Sequence, residues 1–156
     1  MGIYTETFRL ITPASLVEVR DESLTDESLF DPNDTNPLLM GEWLEYTSGS
    51  KDKKMARTTT GTIIPFAVYG EKGRTDMQAA KKAPILFMGP YSAESLIIDP
   101  AGAWVLGCKL MAASVTYDGK TRAGLKVHAG AAEVVGRLLR TPTNNGGWLR
   151  FIRTLG

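Results

Sequence analysis

The rhythm of the chain constrains it most. From Met40 onward, short runs rich in β-branched and aromatic residues recur every ~8 to 15 residues, with Gly, Pro, Asn or Asp between them. "GEWLEYTSG", "KKMARTTTGTIIPFAVYG", "APILFMG", "YSAESLIID", "AWVLGCKLMAAS", "AEVVGRLLR" and "GWLRFIRTL" are such runs. Asp118-Gly119, inside "VTYDGKTRAGLKVH", is the sharpest signal, because this dipeptide suits a type I′ turn joining two antiparallel strands. Pro65 predicts an edge position or a bulge, since it removes a ladder donor. About eight short strands without alternating long helices predict an all-β body, a β-sandwich or β-barrel, over residues 37–156. One short helix is expected within "GRTDMQAAKK", capped by Thr75 or Asp76.

Residues 1–36 read differently. They are acidic, hold the echo DESL-x-DESL in "DESLTDESL", and close on "DPND" and "TNP". Phe8, Leu10, Leu16, Val17, Leu24, Leu29 and Phe30 still recur within them, more apolar residues than a disordered tail carries. We read an extended N-terminal arm with a helical turn or two, docked on its own body or on a neighbouring subunit. If it serves inter-subunit contact, deleting residues 1–35 should leave a folded body.

Charge is segregated. Seven acids face Arg20 alone between Glu18 and Asp34, whereas seven bases face Glu133 alone from Lys120 onward, within a net charge of +1. Such a layout either balances as solvated surface or orients one copy against the next.

A search for chemistry returns little. No phosphate-cradling loop, GxGxxG, HExxH or GxSxG is present. The single Cys108 sits in an apolar run and reads as a small hydrophobe, and the single His128 ends a strand. Cys and His pairs for zinc are excluded by count. The expectation is therefore a non-enzyme with no catalytic residue, no cofactor and no metal. No run reaches the ~18 apolar residues of a membrane helix, and "MGIYTETFRL" lacks a secretory pattern, so no membrane partner is expected and synthesis in a cytoplasm is. Near-neutral net charge argues against direct nucleic-acid binding.

"NPLLMGEWLEY", "GRTDMQAAKKAPILFMGPYSAESLIID", "GCKL", "AEVVGRLLR" and "GGWLRFIR", in this order, resemble the small head decoration (cement) proteins of tailed bacteriophages. The resemblance spans roughly residues 36–153, with Cys108 standing where that pattern has a polar or acidic residue. It implies a structural virion protein on the outside of an expanded capsid, made in the bacterial host cytoplasm. Its implied partners are the major capsid protein and itself, as a dimer or trimer. The alternatives are another self-assembling virion protein (tail tube, tail terminator or connector) and, behind it, a small module binding sugar or single-stranded nucleic acid.

The closing "NNGGWLRFIRTLG" reads as the second arm of a terminal hairpin, with Leu149 and Phe151 inward and Trp148, Arg150 and Ile152 outward. That outward side is too apolar for a solvated strand, so a neighbour or the arm should cover it. The candidate inter-subunit or capsid contacts are Phe8, Leu10, Leu29, Phe30, Trp148, Arg150 and Arg153.

Overall fold

A computed structural model describes residues 6–31, 33–47, 54–69 and 81–154. The chain is all-β, as its rhythm predicts. Eleven strands run in order: β1 (Phe8–Leu10), β2 (Glu18–Glu22), β3 (Trp43–Tyr46), β4 (Met55–Arg57), β5 (Phe66–Ala67), β6 (Ala83–Met88), β7 (Tyr91–Ser95), β8 (Lys109–Tyr117), β9 (Lys120–Val127), β10 (Gly136–Arg140) and β11 (Leu149–Arg153). The expected helix lies outside the described residues apart from Lys81 and Lys82. Three single 3-10 turns, Ala14–Leu16, Glu27–Phe30 and Pro142–Asn144, are the only helical pieces among the described residues.

Six strands form a curled half-barrel in the order β1-β7-β11-β10-β8-β9. The Asp118-Gly119 hairpin joins β8 to β9, with φ of 52° and 72° at the two turn residues and Tyr117 paired with Lys120. Both central residues thus take the positive φ that a type I′ turn requires. The terminal hairpin is present too, β10 pairing antiparallel with β11.

The other five strands are split between a two-stranded and a three-stranded sheet, and single bridges join these into a ring. β2 pairs with β6; Val68, just past β5, bridges Ile85 of β6; β5 and β4 flank β3; Leu24, just past β2, bridges Met55 of β4. Reciprocal bonds from Met55 N to Ser23 O and from Thr25 N to Met55 O, both 2.9 Å, complete the circuit. A ring of this kind leaves few free strand edges.

Its interior is filled by Leu24, Phe30, Leu38, Leu44, Met55 and Ile85, among others. The half-barrel has its own core around Phe8, Tyr91, Leu110, Leu125, Leu149 and Phe151. β3, β5 and β6 serve both cores. Trp43, Ala67 and Leu86 face the half-barrel, while their neighbours Leu44, Val68 and Ile85 face the ring. These strands are therefore apolar at consecutive positions, the pattern of a strand buried on both sides.

The arm belongs to this body. β1 pairs with β7 and β2 with β6, so residues before Asn36 supply strands to both lobes. Residues before Asn36 thus dock on the chain's own body. Its apolar residues recur because they fill the chain's own cores.

Candidate contact surface

β1, β7, β11 and β10 lie side by side, so alternate residues from each share the outer face of the half-barrel. The registers align Arg9, Glu94, Arg150 and Arg140 in one row across four strands. A second row holds Ser92, Ile152, Arg137 and Lys109. Five bases thus share a face with Glu94 as the acid between them.

Glu94 organises the first row. Its side chain is only 5% exposed, and it meets Arg150 Nε at 3.2 Å and Arg9 Nη1 at 3.6 Å. Asn145 Nδ2 donates to the same carboxylate and, at 3.0 Å, to the carbonyl of Trp148. Burial raises the Glu94 pKa, but the Asn145 hydrogen bond and the two guanidinium groups outweigh it and hold the value below the usual glutamate one. The Arg9 guanidinium lies 3.8 Å above the Trp148 ring, within cation–π range. Trp148, just before the terminal strand, is therefore covered by Arg9 from the arm of the same chain.

Several expected contact residues are consequently spent inside the molecule. Phe8 is buried, edge-on to Tyr69 and Phe151, and Phe30 is buried in the ring. Leu10 and Leu29 are half-buried against the two cores. Trp148 is buried beneath Arg9. Arg153 is buried and points inward, donating to the carbonyls of Pro65 at 2.8 Å and Val135 at 3.2 Å, with its guanidinium 5.4 Å from the Trp43 ring centre. Five of the seven thus pack or bond within one chain, and Leu10 and Leu29 offer only flanks. Arg150 keeps a partly open side chain, at 30%. Being apolar or basic at the ends of a chain is the same signal for a core contact and for a subunit contact, so the sequence alone does not separate the two.

Exposed aliphatic side chains lie elsewhere. "AWVLGCKL" does not run as one strand, because Val105–Cys108 form a turn, closed by Cys108 N to Val105 O at 3.0 Å with Gly107 at φ 80°. This is the type II arrangement, which needs positive φ at its third residue. It lifts Val105 and Leu106 to 66% and 67% exposure. Leu139, at 47%, lies beside the turn, since Gly107 N bonds Leu138 O and Arg137 Nη1 donates to Gly107 O. Its strand carries a register shift between Leu138 and Arg140, which turns Leu139 outward with its neighbour. The Gly107 in this run was the available signal.

A second buried acid, Glu42, ties the two lobes together. Its side chain is fully buried and accepts from Arg57 Nε and Nη2 at 2.7 and 2.9 Å, and from Arg122 Nη1 at 3.2 Å. Leu39 N at 2.8 Å and Ala123 N at 3.1 Å complete its shell. The bond to Ala123 also caps the outer edge of β9, where Asn36 Nδ2 takes Thr121 O and the 97–99 segment bonds both polar groups of Leu125. This acid couples structure, and its shell leaves it no reacting partner.

A cavity of about 380 Å³ opens between Ile64, Pro65, His128, Val134 and Arg153. His128 Nε2 lies 2.7 Å from Ala132 O and must donate, since a carbonyl only accepts. The imidazole is thereby committed to the loop beside it. Among the described residues no group of three or more His, Cys, Asp or Glu is placed to hold a metal, and no helix is long and apolar enough to cross a membrane. No family model, curated protein or solved structure matches the chain.

Proposed function

We propose that this chain is a non-enzymatic structural protein of a phage virion. It binds the outside of an expanded capsid and stabilises the shell by bridging major capsid subunits. The observation that carries the reading is the outer face of the half-barrel. Exposed bases there stand near a lifted apolar turn, on strands backed by the half-barrel core. Such a surface is suited to making contacts, and many modest contacts repeated over a shell sum to tight attachment. The sequence resemblance supplies the identity of the shell.

The test is co-sedimentation of the purified protein with expanded capsids lacking it and with unexpanded ones, followed by electron microscopy. Selective binding to expanded capsids, with density outside the shell, is expected. Density within the tail, or no co-sedimentation, refutes the proposal. The second reading, a tail tube, terminator or connector protein, is favoured by the segregated charge, which suits ring assembly.

A further inference from the structure

The half-barrel's outer face mixes charge with grease. Lys109, Arg137 and Arg140 are exposed, and Leu139, Val105 and Leu106 stand among them. Arg9 and Arg150 are balanced by Glu94, so the charge that remains sits next to the apolar turn. A face that bound only a phosphate backbone would have no use for three exposed aliphatic side chains beside its bases.

The chain carries a second surface with the same mixture and the opposite sign. Along β2 and the turn before it, Asp21 is exposed beside Val19 at 43% and Leu16 at 72%, while Glu18 is balanced by Arg20 of the same strand. β2 pairs with β6, and its side chains are largely in solvent on this outer strand. The acids run on through Asp26, Glu27 and Asp31, all exposed. Exposed aliphatic residues beside acids on one surface, and beside bases on another, give two patches that match in both chemistries.

We infer that the basic half-barrel face of one copy receives the acidic β2 segment of a second copy. The inference rests on the self-associating part of the proposed function and names its two surfaces. Because the surfaces differ, the contact is head-to-tail, and repetition either closes a ring or runs on as a filament. A ring of three fits shell decoration, and a larger ring fits the tail reading. The apolar side chains supply desolvated area, and the charges set orientation and exclude like-signed docking.

The test is sedimentation of the full chain across concentration and salt. Association is expected at low salt and should weaken at least ~10-fold as ionic strength rises, because exposed charges are screened. Two surface variants, Arg137→Glu/Arg140→Glu and Asp21→Lys/Glu27→Lys, should each stay folded by circular dichroism and become monomeric. Mixed one to one, they should reassemble in alternation, since the unaltered surfaces of the two variants still match and the two reversed surfaces again carry opposite charge. Combining all four changes in one chain should restore association. A wild-type chain that stays monomeric up to about 1 mM at low salt overturns the inference. So does either variant associating like the wild type, or a basic face that binds heparin while the copies remain apart. Loss of capsid binding with self-association intact would sink the capsid reading alone, and the reverse result would sink this inference alone.

Discussion

Replacing Glu42 by Gln should cost far more than its single altered atom suggests. The side chain has no solvent access and holds five donors, two of its partners being guanidinium groups. Gln keeps the shape but removes the charge and turns one acceptor into an NH2 group facing donors. Arg122, 5% exposed, would then keep its bond to the Pro37 carbonyl but lose the Glu42 charge. Breaking a buried pair from one side costs about 3–5 kcal/mol. At roughly 2–4 °C per kcal/mol for a domain of this size, the melting temperature should fall by about 6–20 °C. Thermal melts followed by circular dichroism, with urea titrations to check that the m-value is unchanged, measure it. A variant that melts within about 3 °C of the parent would refute the idea that this carboxylate couples the lobes.

Other outcomes follow from the same geometry. The folded-state pKa of Glu94 lies below its ordinary value of 4.5, so its stabilisation is present above about pH 4.5 and lost as pH falls through the folded value. The stability gap between the wild type and Glu94→Gln should therefore be widest near neutrality and shrink in acid; a gap constant from pH 7 to pH 3 contradicts the assigned pairing. Arg9→Ala should uncover Trp148, giving red-shifted emission and stronger acrylamide quenching at a cost of about 1 kcal/mol or less, and unchanged quenching would show that Arg9 does not shield the ring. Gly136→Ala should destabilise by about 1–3 kcal/mol or more in urea melts, because the new methyl would sit 2.2 Å from the Ile152 carbonyl oxygen; parental stability would mean that β10 and β11 are less close. A chain beginning at Asn36 should fail to fold, since it lacks β1 and β2, and a cooperative melt from that truncation would show the arm to be dispensable.

The half-barrel was largely legible in the sequence. Asp118-Gly119 forced one hairpin and the 144–147 turn another, and alternation placed Leu149 and Phe151 inward. The ring was not legible, because single-residue bridges at Leu24 and Val68 leave no run of alternating residues to read. Nor were the strands of the arm, since β2 is exposed along most of its length and reads as solvated coil. Glu94 and Glu42 each sit as an acid amid apolar neighbours, which was visible, but their arginine partners lie far away in sequence and only the fold brings them close. Terminal aromatic and basic residues suggested an interface, and the fold shows that Trp148 and Arg153 among them already have partners in the same chain.

The wall formed by β3, β5 and β6 has a consequence for how such a protein can change. Trp43 and Leu44, Ala67 and Val68, and Ile85 and Leu86 each answer to two cores at once, so a substitution on one side shifts the strand that the other side packs against. Variation should therefore be frozen along this divider and released on the outer row of Lys109, Arg137, Leu139 and Arg140 and on the 105–107 turn. A lineage could retarget its contacts by rewriting those outer positions alone, keeping one inner partition while the surface it meets drifts.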